Sequence, residues 1–204
     1  MYNRKLFFIT SAFLTALIGT SAMAMMAAST FRTKGGHVAI IEQVTTKDLS
    51  AEAAVFHDAF VESYTKLPAI VEAVLKKHPT LEAFLTKAFE DEIADFASKK
   101  DGAYFLHAVI DGKVVAYMSF DVKDKEAYVR ELAVSPQYQG IGLGKELGKT
   151  IFRIKPEITT VRGVTRRANL PALGSYKHLG LVESSVGHEG FDPSVYVGLE
   201  YTRK

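Results

Sequence analysis

Apolar side chains along this chain recur first at the helical period and then at the strand period. Ala54, Phe56, Phe60, Tyr64 and Leu67 fall on one side of a helix, which predicts a helix over residues 49–67 capped by Asp48 or Ser50. Pro68 and Pro79 punctuate the stretch after it. Phe84, Leu85, Phe89, Ile93 and Phe96 repeat the helical pattern over residues 81–96. The acidic residues of that helix, Glu90, Asp91, Glu92 and Asp95, read as a solvated face.

Around these helices the period is that of strands. Residues 38–44 are a short β-rich run, preceded by a polar, glycine-containing linker at 31–36. Residues 104–110, 113–121 and 126–134 form three runs joined by Asp111-Gly112 and Asp124-Lys125, which predicts an antiparallel meander. A helix is expected over 143–154, a strand over 159–165, a helix over 169–179, and strands over 181–186 and 195–201. The order β-α-α-β-β-β-α-β-α-β-β predicts one α/β (α+β) domain with a mixed, mostly antiparallel sheet flanked by helices.

The first 28 residues break this pattern. Arg4 and Lys5 precede a run from Leu6 with no charged residue, and Ala22-Met23-Ala24 fits a small-x-small cleavage site. The expected division is therefore 1–24 as signal peptide or membrane anchor, 25–36 as linker and 37–204 as the folded domain. A cleaved export signal, an uncleaved anchor touching membrane through residues 1–28, and translation from Met23, Met25 or Met26 are three open readings. They place the domain outside the cytoplasm, on a membrane or in the cytoplasm respectively.

Composition narrows the chemistry. The chain has 204 residues, 48% hydrophobic and 24% charged, which suits one globular domain with a sizeable core. Its net charge of +2 vanishes once Arg4 and Lys5 are set aside, so nucleic acid is not an expected partner. Arg162, Arg166 and Arg167 read as a solvated strand end. No cysteine is present, which excludes disulfides, thiolate metal sites and a cysteine nucleophile. The histidines show no metal-ligand spacing, and no metal is expected.

The informative segment is Val134-Ser135-Pro136-Gln137-Tyr138-Gln139-Gly140-Ile141-Gly142-Leu143-Gly144, between a strand and a helix. Glycines at alternate positions permit backbone shapes closed to other residues and let N–H groups approach a ligand. With a helix N-terminus they make a pyrophosphate site. The dinucleotide pattern fails, because Lys145 or Leu147 stands where its last glycine belongs. The P-loop pattern fails too, because Leu143 stands where its first glycine belongs, and Lys149 falls inside the helix.

Gln139, Gly142 and Gly144 resemble the (Gln/Arg)-x-x-Gly-x-(Gly/Ala) signature of the GNAT N-acetyltransferase superfamily. Asn169, Ala172, Tyr176 and Gly180 resemble its second cofactor motif, with Leu181 in place of the usual Phe and Gly174 inside the helix. The resemblance spans about residues 38–201. It implies acetyl-CoA as co-substrate, with the main chain of Leu132 and Val134 on the pantetheine arm. Gln139, Gly140, Gly142, Leu143, Gly144 and Lys145 would then hold the pyrophosphate, and Asn169 would contact the pantetheine.

Acyl transfer to an amine needs an acid for the leaving thiolate and a base for the amine. Tyr176 is the expected acid and Glu131 the expected base, with Glu126 and His107 as weaker candidates. The expected function is acetyl transfer to a small-molecule or protein amine, by direct attack in a ternary complex. A non-catalytic acyl-CoA-binding module at the cell envelope is the alternative. A homodimer is a further option that the sequence leaves open.

Overall fold

The computed structural model describes residues 29–44, 49–98, 102–185 and 190–203. The N-terminal reading, residues 1–28, lies outside them, as does Asp48. Among the described residues no helix is long and apolar enough to cross a membrane.

The chain folds into an eight-stranded sheet with helices on both faces. β1 (Ser29–Arg32) and β2 (Val38–Gln43) open it. Helices α1 (Ser50–Thr65), α2 (Pro68–Leu75) and α3 (Leu81–Ser98) come next. The meander is β3 (Ala103–Ile110), β4 (Lys113–Lys123) and β5 (Glu126–Val134). Then come α4 (Leu143–Ile154), β6 (Thr160–Arg166), α5 (Leu170–His178), β7 (Val182–Ser184) and β8 (Tyr196–Thr202). The spatial order is β1-β2-β3-β4-β5-β6-β8-β7, and all pairings are antiparallel except β5 with β6.

Three elements differ from expectation. Ser29–Arg32, part of the expected linker, pairs along β2 as an edge strand. Pro68 opens α2 at its first turn, where its missing N–H costs nothing. Leu49, rather than Ser50 or Asp48, occupies the N-cap of α1, without a side-chain cap bond. The turns behave as read: Asp111, Gly112 and Asp124 all have positive φ.

Each sheet face carries its own core. Leu143, Leu147 and Ile151 of α4 pack on Ile41, Leu106, Met118 and Phe120. On the opposite face, Val55, Phe56, Leu85 and Phe89 of α1 and α3 pack on Phe105 and Tyr117, whose rings stack 5.1 Å apart.

One polar cluster bridges this second layer. His107 lies between Glu52 (2.6 Å) and Glu42 (3.0 Å), with the Glu52 side chain only 3% exposed. Burial opposes the imidazolium, but the hydrogen bonds and charges of the two glutamates outweigh it and raise the imidazole pKa. A raised native pKa means that this stabilisation is complete below the unfolded value of about 6.5 and is lost as pH climbs through the native one. The melting-temperature gap between wild type and His107→Gln is therefore expected to be widest near pH 6 and to narrow toward about pH 9. A thermal-melt series across that range checks it, and a gap that widens with pH would contradict the assignment.

Candidate active site

A bulge in the middle of the sheet creates the site. The β4–β5 register runs from Phe120 opposite Val129 to Ser119 opposite Glu131, so Arg130 is an extra residue. Below the bulge, Ala127 and Val129 face the α4 layer. Above it the alternation has shifted, so that Ala133 faces α1 and α3 while Leu132 and Val134 face α4.

The bulge also parts two strands. β5 and β6 pair from Glu126–Thr160 to Val129–Gly163, and no further, although β5 runs on to Val134 and β6 to Arg166. The Ser135 N–H donates to Val115 on the β4 side. Because successive residues of a strand turn their polar groups to opposite edges, those of Val134 and Leu132 face the gap. The Val134 carbonyl accepts from the Gln139 side-chain amide at 3.2 Å, consistent with that direction.

The glycine segment stands beside this gap. Gly140 and Gly142 have φ of 76° and 101°, and Gly142 is the N-cap of α4. Gly144 lies over Leu132, and a Cβ there would stand 3.6 Å from its Cδ2. None of the N–H groups of residues 140–145 donates to a backbone carbonyl among the described residues. The β1–β2 turn braces the loop from behind, where the Lys34 N–H donates to the Ile141 carbonyl at 3.1 Å. Gln139 and Lys145 are exposed, and Leu143 is buried.

α5 closes the other side. Asn169 is its N-cap, and the side chain accepts from the Ala172 N–H at 3.3 Å. Asn169, Ala172 and Tyr176 share one helical face and line the gap. Across it stand Glu131 and Leu132 of β5, Arg166 of β6, Tyr196 of β8, and Phe60, Ser63 and Tyr64 of α1. The cleft so formed holds about 280 Å³.

Charge inside the cleft is unevenly balanced. Burial, and next the charge of Glu92, push the Glu131 carboxyl up to about 8, against the pull of Arg130 and Arg166. Burial, with Glu131 second, pushes the Tyr176 phenol up to about 12. Tyr64 is raised by burial while Arg166 works against the shift.

The structure thus brings Glu131, Leu132, Asn169 and Tyr176 together and sets the glycine loop at their flank. Glu126 is turned away into an ion pair with Arg162, and His107 is held by Glu52 and Glu42. Two sequence readings are corrected. Glu92 is not solvated: its side chain pairs with Arg130 and accepts from Ser119, whereas Asp95 pairs with Arg130 but keeps its side chain 45% exposed. Arg166 is not at a solvated strand end but inside the cleft, its guanidinium carbon 4.4 Å from the centre of the Tyr64 ring. Neither Arg166 nor Tyr64 had a sequence signal of function: one sat in a basic run, the other on an apolar helix face.

The chain is thus an α/β domain whose β5 and β6 part beside a glycine-rich helix start. The sequence pattern of the acetyltransferase (GNAT) family matches residues 67–181, more than half of the chain, and the chain belongs to that family. No curated protein matches it in sequence. Solved structures share the fold. The GNAT domain of S. lividans PAT is 18% identical with a TM-score of 0.62, the match covering 86% of this chain and 96% of that one. The PaiA N-acetyltransferase of Thermoplasma acidophilum, solved with coenzyme A, is 20% identical with a TM-score of 0.60 over 80% and 98%. The ribosomal-protein-S18-alanine N-acetyltransferase of Escherichia coli is 20% identical with a TM-score of 0.56 over 80% and 93%.

Proposed function

We propose that the chain transfers an acetyl group from acetyl-CoA to an amine by direct attack in a ternary complex. The carrying observation is the convergence of Glu131 and Tyr176 in a cleft whose edge offers unpaired main chain. The polar groups of Leu132 and Val134 suit the amides of a pantetheine arm, as the missing strand between β5 and β6 would. The free N–H groups of residues 140–145 suit the pyrophosphate, with Gln139 and Lys145 at its margin.

Acetyl-CoA supplies an acyl carbon made electrophilic by its thioester. Glu131 accepts the proton of the attacking amine, and the Tyr176 hydroxyl donates toward the sulfur as the carbon–sulfur bond breaks. Asn169 fixes the start of α5 and so the position of Tyr176, one helical face along. The thiolate leaves with the Tyr176 hydrogen bond, Glu131 gives up the amine proton to solvent and the thiolate takes one from solvent, so the products are an amide and a free thiol.

The test is release of free thiol when the purified protein meets acetyl-CoA and a panel of amines. Acetyl-CoA binding without thiol release on any amine would instead favour a non-catalytic acyl-CoA-binding module. The loop has its own test. At φ 101° a β-branched residue is strained by about 1–2 kcal/mol, so Gly142→Val is expected to weaken acetyl-CoA binding about tenfold or more. Gly148→Ala, inside α4 and merely touching Leu179, is expected to leave that affinity unchanged. Calorimetric titration of both variants decides it.

A further inference from the structure

Arg166 differs from the arginines around it. Arg130 pairs with Glu92 and Asp95, Arg162 with Glu126 and Glu200, and Arg167 with Glu183. Arg166 is half-buried in the cleft, and no carboxylate lies within 4 Å of it among the described residues. Its neighbours are rings: Tyr64 at 4.4 Å and Tyr196 at 5.8 Å from the guanidinium carbon. A desolvated cation without a counter-ion is costly, and ring faces offset only part of that.

Stacking has a second consequence. A ring takes the flat face of a guanidinium, whereas the N–H groups point outward in its plane. The Tyr64 and Tyr196 side chains also hydrogen-bond the guanidinium, so they take part of its five-donor capacity and leave the rest for a ligand in the cleft. The guanidinium plane fits a carboxylate, which accepts two parallel N–H bonds.

The side of the sheet matters as well. Tyr64 belongs to α1, so Arg166 lies toward the α1 layer, opposite the layer of α4 and its glycine loop. Under the proposed acetyl transfer, on which this step rests, the donor arm comes from the α4 side and the acceptor from the α1 side. Glu131 and Arg166 then meet the same acceptor. The part of the cleft lined by Glu131, Tyr176 and Arg166 holds about 280 Å³, which a small acceptor fills.

We infer that Arg166 selects an acceptor bearing a carboxylate beside its amine, a free amino acid in class, with the carboxylate on Arg166 and the amine toward Glu131. An acceptor carboxylate supplies the close counter-ion that Arg166 lacks among the described residues, in either charge state of Glu131. The same cation repels polyamines and basic peptides, so it rejects as well as attracts.

The experiment compares matched acceptors: amino acids, their decarboxylated amines, their amides, and short peptides with an acidic second residue. Thiol release is followed under acetyl-CoA. The amino acids are expected to exceed the decarboxylated partners in kcat/KM by about tenfold or more, as a charge-assisted pair confers. Arg166→Gln is expected to shrink that ratio about 10–100-fold, through KM more than kcat, and Arg166→Lys to restore part of it. Equal rates on acids and decarboxylated amines, or a ratio that survives Arg166→Gln, would overturn the assignment. A preference for the acidic peptides over free amino acids would overturn the size argument. If no amine releases thiol, the transfer reading fails by itself, and calorimetry of amino acids on the protein–CoA complex still decides the role of Arg166. Carboxylate-dependent binding lost in Arg166→Gln supports it, and binding indifferent to the carboxylate overturns it.

Discussion

Glu131→Gln is expected to lower kcat/KM about 10²–10⁴-fold, the range of a lost general base. The substitution keeps the shape of the side chain and removes its ability to take a proton. Wild-type activity should rise with pH through about 8, where the Glu131 carboxyl ionises, and level off above it. The glutamine variant should lose that inflection. The variant also carries a prediction of opposite sign. Glu131 has a native pKa of about 8 against 4.5 for an ordinary glutamate, so the native state holds the proton more tightly. Stability from this group is therefore complete below about pH 4.5 and declines as pH rises toward 8. Removing the carboxylate should raise the melting temperature at pH 8 while lowering turnover. Loss of activity with loss of stability would point to a structural role, and unchanged activity would remove Glu131 from the chemistry.

The parts of the site legible in sequence are those made by near neighbours. Gly140, Gly142 and Gly144 lie within five residues, and the positive φ of the first two and the helix start obey local preference. Asn169, Ala172 and Tyr176 recur at helical spacing, so their shared face was readable before any fold was known. The bounds of α4 came from the same kind of reasoning. What stayed hidden is set between distant segments. The extra residue at Arg130 leaves no mark in Glu-Ala-Tyr-Val-Arg-Glu-Leu-Ala-Val, yet it turns Glu131 toward α1 and frees the edge of β5. It is visible only against Ser119 and Phe120. Arg166 looked like Arg162 and Arg167 because the sequence does not say which of three cations will find Glu126, Glu200 or Glu183. Ser29–Arg32 lacked a strand pattern of its own and gains order from β2. The turn after it then supports the glycine loop through Lys34 and Ile141. A supposed linker is thus part of the scaffold of the site.

Tyr176→Phe is expected to lower kcat about 10–100-fold, less than loss of the base, with acetyl-CoA affinity nearly unchanged. The reason lies in the acidity of the phenol. Burial pushes its pKa up to about 12, whereas a thiol ionises near ~8.5. Full proton transfer from Tyr176 to a thiolate is therefore uphill by several units. A hydrogen bond from a neutral phenol to sulfur as it gains charge is not uphill, and such a bond to a charged group is worth about 1.5–3 kcal/mol. That range converts to the expected fold-change. The same pKa keeps Tyr176 protonated across the working range, so its loss should leave the inflection near pH 8 in place, unlike that of Glu131. Acceleration should also depend on the leaving group. A thioester whose thiol is more acidic needs less help, so an activated aryl thioester should narrow the gap between wild type and Tyr176→Phe. A gap that stays the same for both thioesters would place Tyr176 outside the bond-breaking step and leave it as packing on α5. An intermediate result is informative too, because Asn169 sets the start of that helix: Asn169→Ala should shift Tyr176 without removing its hydroxyl, and should reproduce part of the loss.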